Sequence, residues 1–263
     1  MKQRLDIFLT KNKFFESREK AQTEILESNI VVNGKVVKKP SFPVSLEDKV
    51  EVLNVSNKYV SKGGLKLEKA IIDFDIDVKG KVCLDIGAST GGFTDVLLQN
   101  KAKKIYAVEN GTDQLHPKIK KSKRVIDMSN TDIRKLNTEI IAEADIIVID
   151  VSFISVGLFM KLLSKNMKEG ALIVQLFKPQ FECGPMLAKK HRGVIREESV
   201  HENLIKKFVA NWRAAGLNVH DIIPSPILGG SGNIEYLALL KRQNTTKTFE
   251  NVVREAFKTF ERK

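Results

Sequence analysis

The sequence predicts an α/β protein built on a mostly parallel sheet, preceded by a small module in its first sixty residues. Three observations lead to this prediction. From about residue 64 onward, apolar runs of strand length alternate with segments of helical period, as in sheets covered by helices on both faces. Residues 81–98 have the pattern strand, glycine turn, helix, which opens a nucleotide-binding unit. Several apolar runs also end directly in a charged residue.

The stretch KVCLDIGASTGGFTDVLL, residues 81–98, contains the first candidate ligand site. Its apolar run reaches Asp85, and three glycines follow in the turn, Gly87, Gly91 and Gly92. Glycines let the backbone turn tightly and let a ligand approach without a Cβ in the way. The Gly-Lys-Ser/Thr of a triphosphate-binding loop is missing, and Ser89 breaks the dinucleotide pattern. A carboxylate here suits a ligand with a cationic amino-acid end, such as S-adenosylmethionine; a structural turn is the alternative.

The composition favours a polyanionic partner. The 263 residues include 44 Lys and Arg against 32 Asp and Glu, a formal net charge of +12 at pH 7. This balance is typical of proteins that bind nucleic acid or an acidic membrane surface, and a merely basic protein is the alternative. The two cysteines and four histidines lack metal-ligand spacing, so we expect reduced thiols and no metal. A charged N-terminal segment and the lack of an apolar run of about 20 residues lead us to expect a cytoplasmic protein without a membrane span.

The first part of the chain predicts a small α+β domain. Ser17 is a good N-cap for a helix that buries Ala21, Ile25 and Leu26. Residues 30–37 predict a hairpin, because they flank an Asn-Gly pair with apolar runs. So few elements make a marginal core, which indicates an appended module rather than a catalytic one.

Residues 4–40, RLDIFLTKNKFFESREKAQTEILESNIVVNGKVVKKP, resemble the small RNA-binding module shared by pseudouridine synthases and a ribosomal protein of the small subunit. The Arg-Leu-Asp start, the Ser-Arg-x-x-Ala step and the Val-Asn-Gly-Lys turn all coincide. The resemblance implies a face that binds structured RNA, made of Arg4, Ser17, Arg18, Lys20, Asn33 and Lys35. For each residue singly, a solvated surface position is the alternative. We predict an RNA-binding domain at 1–57, a linker at 58–63 and a second domain at 64–263.

Two further carboxylates lie where an adenosine-containing cofactor would need them. Glu109 ends the second predicted strand, about 20 residues past the glycine turn, where a carboxylate suits two ribose hydroxyls. Asp132 follows the third strand and is a candidate adenine contact. Ordinary strand-end acids are the alternative. Together with the turn, the predicted cofactor-binding residues are Asp85, Gly87, Ala88, Ser89, Gly91, Gly92, Phe93, Glu109, Asp132 and Asp150.

Four charged residues are predicted to meet beyond the carboxyl ends of the strands, the edge where such sheets bind ligands. Asp150 and Lys178 each follow a buried apolar run directly. Glu235 begins its strand instead of ending it, so it reaches this edge only if that last strand runs antiparallel. Lys66 can reach the crevice from a helix predicted at 64–74. A structural ion-pair network is the alternative.

Five motifs between residues 58 and 241 match, in order, those of the TlyA family: YVSKGGLKLEKA, LDIGASTGGFTD, IDVSFIS, KPQFE and GGSGNIEYL. These proteins are ribosomal-RNA 2′-O-methyltransferases, historically called hemolysins, with a catalytic domain of the FtsJ type. The resemblance implies a Rossmann-like methyltransferase sheet with S-adenosyl-L-methionine as cofactor. It also implies ribosomal RNA, within ribosomal subunits, as partner, with a cytidine as target. The implied catalytic residues are Lys66, Asp150, Lys178 and Glu235.

The chain departs from the family pattern in two places. The family's Val-Asp-Val-Gly at the tip of the second strand becomes Val108-Glu109-Asn110-Gly111, which keeps the carboxylate on a longer arm. The family's Glu-Arg-Thr-Asn-Ile-Arg is reduced to SNTDIR at 129–134. The second departure puts the role of Asp132 in doubt.

The implied reaction sets the roles of the four charged residues. A ribose hydroxyl attacks the sulfonium methyl in line, so the protein must position that hydroxyl and manage its proton. Desolvation and a neighbouring cation lower the pKa of a lysine, which then accepts or steers a proton near working pH. We assign this task to Lys178, with Asp150 orienting it, and we assign alignment of the ribose to Lys66 and Glu235.

Three basic residues of the segment 189–196 are predicted to grip RNA as a flap over the site: Lys189, Arg192 and Arg196. A solvated loop is the alternative. Two rival functions stay open, a membrane-lytic protein and a non-catalytic RNA-binding assembly factor. Neither a spanning segment nor a strongly amphipathic basic helix supports the first rival. We expect a monomer.

Overall fold

The computed structural model describes residues 2–15, 17–26, 29–52, 58–152 and 154–261, without the side chains of Lys20, Thr23 and Glu261. The chain divides into two compact units, Met1–Lys58 and Tyr59–Lys263. The predicted end of the first domain, residue 57, lies outside the described residues. Tyr59, in the predicted linker, is buried in the second unit, and the neighbouring Val60 N–H donates to Asp95 Oδ2 at 2.9 Å.

Within the residues that the structure describes, the first unit contains two helices and five short strands. Its elements are β1 (Gln3–Arg4), α1 (Leu5–Lys11), α2 (Arg18–Leu26), β2 (Ile30–Val32), β3 (Lys35–Val36), β4 (Pro43–Val44) and β5 (Val50–Val52). β1 pairs with β4, and β2 lies between β3 and β5, all antiparallel. The helices pack on these strands around a small apolar core that includes Leu5, Leu9 and Ile25.

The predicted hairpin is formed by β2 and β3. Asn33 (φ 52°) and Gly34 (φ 77°) both have left-handed backbone, as a two-residue turn of type I′ requires. The prediction for Leu26 was wrong, because this side chain is exposed. Ala21 and Ile25, one helical turn apart, fill the inner face of α2, and Leu26 lies about 100° further around the helix.

The second unit alternates strands and helices. Its elements are α3 (Gly63–Asp73), β6 (Val82–Ile86), α4 (Gly92–Gln99), β7 (Lys104–Val108), α5 (Pro117–Lys120), β8 (Val125–Met128), a 3₁₀ turn (Ile133–Lys135), α6 (Thr138–Glu143), β9 (Ile146–Ile149), a second 3₁₀ turn (Val156–Leu158), α7 (Met160–Asn166), β10 (Leu172–Phe177), α8 (Pro179–Glu182), α9 (Pro185–Lys190), α10 (Glu198–Ala214), β11 (Asn218–Pro224), β12 (Tyr236–Lys241) and α11 (Val252–Glu261).

The seven strands of this unit form one sheet in the order β11-β12-β10-β9-β6-β7-β8. β12 runs antiparallel to both of its neighbours, and the pairs from β10 to β8 are parallel. The predicted α/β class, with its antiparallel last strand, is confirmed. Because Tyr236 is paired with Phe177, the start of β12 lies beside the end of β10.

Apolar cores cover both faces of the sheet. Alternate strand residues point to opposite faces, so Leu84 joins one core and Cys83 the other. Helices α6, α7, α10 and α11 pack over the first face, and α3 and α4 pack over the second. The two layers leave the carboxyl edge of the sheet to the loops that carry charged residues.

Candidate active site

Two buried ion pairs lie at the carboxyl edge of the sheet. Lys66 Nζ donates to Glu235 Oε2 at 2.6 Å, and Lys178 Nζ lies 2.6 Å from Asp150 Oδ1. The exposed fractions of these side chains are 11% and 3% in the first pair and 10% and 22% in the second. All four predicted residues therefore lie in pairs at strand or helix ends, where sequence reasoning expected them.

The start of α3 brings the two pairs together. A Cβ built on Gly63 would lie 3.9 Å from Asp150 Oδ2. Lys66 is three positions further and therefore shares a face of the helix with Gly63. Gly64 lets the Tyr59 ring pack against the start of this helix, because a Cβ at position 64 would lie 2.5 Å from Tyr59 Cγ.

The charges of the four groups act on one another. Burial on its own would lower the pKa of Lys66, but the carboxylates of Glu235 and Asp150 outweigh burial and raise it. Burial would raise the pKa of Asp150, but the ammonium groups of Lys178 and Lys66 lower it. Each of these two groups thus responds to charges of both ion pairs, so the four residues form one electrostatic cluster.

Neighbouring polar residues hold these side chains in place, and sequence reasoning did not single them out. Ser152 Oγ accepts from Lys178 Nζ at 2.9 Å, and Gln180 Nε2 donates to Glu235 Oε1 at 3.0 Å. Glu182 accepts from Ser155 Oγ at 2.7 Å and from the Val156 N–H at 3.1 Å, which ties the two loops together. Ser152, Ser155, Gln180 and Glu182 lie within the IDVSFIS and KPQFE motifs. These motifs are the sequence signal that could have identified them as site residues.

Gly229 makes room for Glu235. A Cβ at position 229 would lie 2.3 Å from Glu235 Oε1. The glycine turn before β12 therefore packs directly against the catalytic candidate. This contact gives a physical reason for a glycine in the GGSGNIEYL motif.

The glycine bend between β6 and α4 reaches the same cluster. Gly87 (φ 84°) lies so close to the next strand end that a Cβ would come within 2.5 Å of the Asp150 carbonyl oxygen. At Gly92, a Cβ would lie 2.2 Å from Ser61 Oγ. The Ser89 N–H donates to Glu109 Oε2 at 2.9 Å, and the Gly111 N–H donates to its Oε1 at 2.8 Å.

Asp85 is the most deeply buried acid of the bend. Thr94 Oγ1 donates to its Oδ2 at 2.6 Å, while Oδ1 is buried without a hydrogen-bond partner among the described residues. Burial raises the pKa of Asp85 to about 7, and the nearby negative charges of Asp150 and Glu109 add to this effect. An unpartnered buried carboxylate oxygen is costly, and a cationic ligand group would relieve that cost.

Two of the predicted cofactor residues have other surroundings. Asp132 pairs with Arg134 at 2.6 Å and caps the 3₁₀ turn that follows it. Phe93 is 3% exposed and packs in the apolar core with Tyr59 and Leu67. Their observed contacts are therefore structural, whereas Asp85, the glycines and Glu109 surround the bend.

Two arginines among the predicted RNA-binding residues of the first unit donate to the same aspartate. Arg4 donates through Nε and Nη2 to Asp6 at 3.0 and 2.9 Å, and Arg18 Nε donates to the same carboxylate at 3.0 Å. The hydrogen bonds from Arg4, with those of Gln22 and Arg18, hold the pKa of this buried acid well below its usual range. The arginines are nonetheless 44% and 48% exposed, so they keep donors for a ligand.

The other candidates of the first unit differ in their surroundings. Asn33 donates to Asp48 Oδ1 at 2.7 Å, and its own Oδ1 accepts from the Lys49 N–H. Ser17 precedes α2 as predicted, and Lys35 is exposed in β3. The side chain of Lys20 lies outside the described residues. In the second unit, Lys189 lies in the last turn of α9, and Arg192 and Arg196 are exposed in the loop that follows.

Comparison with known proteins identifies the family. Residues 59–242 match the profile described as FtsJ-like methyltransferase, and residues 3–50 match the S4 domain. The chain is 34% identical over 252 residues to the 23S rRNA (cytidine-2′-O)-methyltransferase TlyA of Campylobacter jejuni, which covers 89% of this chain and 97% of that protein. The chain belongs to the TlyA family of FtsJ-like methyltransferases.

Other TlyA-type proteins extend this likeness. The 16S/23S rRNA (cytidine-2′-O)-methyltransferase TlyA of Mycobacterium tuberculosis is 33% identical over 259 residues, 96% of each chain. Hemolysin A of Brachyspira hyodysenteriae is 39% identical over 237 residues, 89% of this chain and 98% of that one. A solved structure from Streptococcus thermophilus that carries the hemolysin name is 38% identical, covers 99% and 98%, and has a TM-score of 0.76. The predicted family is confirmed.

No helix within the described ranges combines the length and apolar character that crossing a membrane requires. In those same ranges, no three His, Cys, Asp or Glu side chains cluster in a way that could hold a metal ion. The candidate active site described above consists of two ion pairs and the glycine bend.

We predict that Gly87→Ala destabilises the second unit more than Gly80→Ala does. Both glycines have a positive φ, 84° and 75°, but a Cβ at position 80 meets nothing within 4 Å. The two substitutions therefore cause similar backbone strain, and only the one at position 87 also places a Cβ against Asp150. Urea unfolding should show an additional loss of about 1–3 kcal/mol for Gly87→Ala. Equal losses for the two variants would argue against close packing of the bend on the next strand.

We predict that Asp85 makes the stability depend on pH. Its pKa of about 7 in the folded chain exceeds the ordinary 3.8, so the folded chain binds this proton more tightly. The resulting stabilisation is complete below pH 3.8 and is lost as the pH rises through about 7. Relative to Asp85→Asn, which imitates the protonated acid, the wild-type free energy of unfolding should fall by about 2–3 kcal/mol between pH 5 and pH 8. A constant difference across this range contradicts the assignment.

Proposed function

We propose that this chain transfers the methyl group of S-adenosyl-L-methionine to a ribose 2′-hydroxyl of ribosomal RNA, with a cytidine as the target. The observation that carries the proposal is the convergence of Lys66, Asp150, Lys178 and Glu235 beside the glycine bend. The names of the Campylobacter jejuni and Mycobacterium tuberculosis relatives support this choice of substrate. A substrate of this kind assigns the chain to the cytoplasm.

The residues of the bend fit the cofactor. S-adenosyl-L-methionine, when bound, supplies an electrophilic methyl group on a sulfonium cation. Asp85 offers a buried carboxylate oxygen without a partner, which suits the cationic amino-acid end. Glu109 lies at the tip of β7 and suits the ribose hydroxyls. The backbone between them, Gly87, Ala88, Ser89, Gly91 and Gly92, forms a surface where few side chains block a ligand.

Lys178 steers the attacking hydroxyl. A lysine ammonium group has three donor hydrogens. Lys178 Nζ donates to Ser152 Oγ and lies 2.6 Å from Asp150 Oδ1. In the proposal, another N–H of Lys178 donates to the ribose oxygen and stabilises the negative charge that this oxygen gains as its proton is withdrawn. Transfer of the methyl group from the bound cofactor would release the hydroxyl proton to the Asp150–Lys178 pair, with Asp150 as the acceptor.

Lys66 and Glu235 position the ribose. Glu235 accepts from Lys66 at one oxygen and from Gln180 at the other, so its carboxylate is held in one orientation. A fixed carboxylate and a fixed ammonium group can align neighbouring hydroxyls without reorganisation during the reaction. The geometry therefore supports a division of labour in which one pair manages the proton and the other orients the sugar.

The first unit supplies binding rather than chemistry. It matches the S4 domain, and it presents two partly exposed arginines on a buried aspartate. Guanidinium groups contact phosphates in a fixed geometry and position a protein on nucleic acid. In the proposal, Arg4, Ser17, Arg18, Lys20, Asn33 and Lys35 contact structured ribosomal RNA.

We expect Lys178→Ala to lose methyl transfer while it keeps cofactor binding. Removal of a positioned proton-handling group costs on the order of 10²–10⁴ in rate. The measurement is transfer of a labelled methyl group from S-adenosyl-L-methionine to ribosomal subunits, with cofactor affinity measured by calorimetry. Lys165→Ala, an exposed lysine on α7, is the matched control and should react at the wild-type rate.

Wild-type turnover by a Lys178→Ala protein that binds the cofactor normally would refute the role of Lys178. A wild-type chain that binds subunits and transfers no label would favour the non-catalytic assembly factor. Mapping 2′-O-methyl groups on the labelled RNA identifies the nucleotide, and a uridine or purine there would contradict the cytidine assignment.

A further inference from the structure

A basic cavity lies at the end of α9 and in the loop that follows, and two of its residues, Arg192 and Arg196, are predicted RNA contacts. It has a volume of about 470 Å³ and is lined by Lys190, His191, Arg192, Val194, Arg196 and Glu197. Three of these six residues are Lys or Arg, and one is acidic. The volume is within the range of small-molecule and nucleotide sites.

His191 is the second observation that points to a ligand. Its side chain is only 6% exposed, and its Nδ1 lies 3.0 Å from Glu197 Oε2. The other ring nitrogen, Nε2, is buried and has no hydrogen-bond partner among the described residues. Buried polar groups are nearly always hydrogen-bonded, so a lone one indicates a missing partner. Glu197, the acid of the cavity, is thereby paired with His191 rather than with one of the three basic side chains.

The loop that forms the cavity is fastened to the strand that carries Glu235. Asn233 Nδ2 donates to the Gly193 carbonyl at 2.8 Å, and the Ile195 N–H donates to Asn233 Oδ1 at 3.0 Å. His201 bridges the Ile195 carbonyl, 3.1 Å from its Nε2, and the hydroxyl of Tyr236, 2.9 Å from its Nδ1.

Both attachment points are close to the proposed catalytic residue. Asn233 is two positions before Glu235 and Tyr236 is the next residue, and all three are at most 2% exposed. The attachment is therefore rigid and short. A ligand in the cavity has a fixed position relative to the ribose that Glu235 is proposed to orient.

We propose that this cavity binds a backbone phosphate of the acceptor RNA strand, next to the nucleotide that is methylated. Arg192 and Arg196 supply the planar donor groups that match phosphate oxygens, and Lys190 adds a point charge. The buried His191 Nε2 supplies a further donor or accepts through a water. This inference rests on the proposed function, because it identifies how the acceptor strand is held in register with the site.

The cavity residues differ from the sequence prediction in one respect. Lys189 was predicted as an RNA contact, whereas the neighbouring Lys190 lines the cavity. The sequence predicted no role for His191, because the histidines lack metal-ligand spacing. In the structure its side chain is buried, which distinguishes a formed site from a solvated basic loop.

The test compares the double variant R192Q/R196Q with a control double variant, K161Q/K165Q, whose lysines are exposed on α7. Affinity for an rRNA fragment is measured without cofactor across a range of KCl concentrations. The slope of log K against log [KCl] is negative, and each lost phosphate contact should lower its magnitude by about 1. We expect a slope magnitude lower by about 1–2 for R192Q/R196Q than for the control pair, with melting temperature and cofactor affinity unchanged.

Three outcomes decide the proposal. A lowered slope magnitude specific to R192Q/R196Q, together with weaker RNA binding by H191F, supports it. Equal slopes for the two double variants overturn it. Inorganic pyrophosphate that binds the wild type, loses binding in R192Q/R196Q and leaves the RNA slope unchanged also overturns it, in favour of a free-phosphate site. Because no methyl transfer is measured, failure of the proposed reaction and failure of this site are separate results.

Discussion

The ion pair between Lys66 and Glu235 is the constraint on which the site depends. The two residues are 169 positions apart in sequence, yet Nζ and Oε2 are 2.6 Å apart and both side chains are almost fully buried. A buried charge without a partner is strongly destabilising. The pair therefore holds the start of α3 against the start of β12.

The direction of β12 follows from this constraint and gives the site its shape. If β12 ran parallel to its neighbours, Glu235 would lie at the opposite edge of the sheet from Asp150 and Lys178. In the observed register Tyr236 pairs with Phe177, so Glu235 and Lys178 extend from adjacent strand ends. The second ion pair, between Lys178 and Asp150, then joins β10 to β9 at the same edge. Four elements thus contribute one charged side chain each to a single buried cluster.

Much of this arrangement could be predicted from local sequence patterns. The hairpin followed from Asn33-Gly34, and the βα unit followed from the glycines after Asp85, because both depend on the backbone freedom of a few adjacent residues. The positions of Asp150 and Lys178 followed from the rule that charged residues after buried strands lie at the ligand-binding edge. The roles of these residues in catalysis stay predictions.

Features that depend on tertiary packing could not be predicted in the same way. The exposure of Leu26 depends on which face of α2 meets the core, and two adjacent apolar residues do not specify that face. Asn233 and His201 hold the 193–195 loop through hydrogen bonds. These residues are far apart in sequence, and no pattern of apolar residues predicts that they meet. Likewise, the unpartnered oxygen of Asp85 is apparent only when every neighbour is known.

A double-mutant cycle on Lys66 and Glu235 tests the central claim most directly. The rate of methyl transfer to ribosomal subunits is measured at saturating cofactor for Lys66→Met, Glu235→Gln and the double variant. If the two side chains act as one buried unit, each single variant loses nearly as much rate as the double variant does. If the rate loss of the double variant equals the product of the two single losses, the side chains act independently, which contradicts the account.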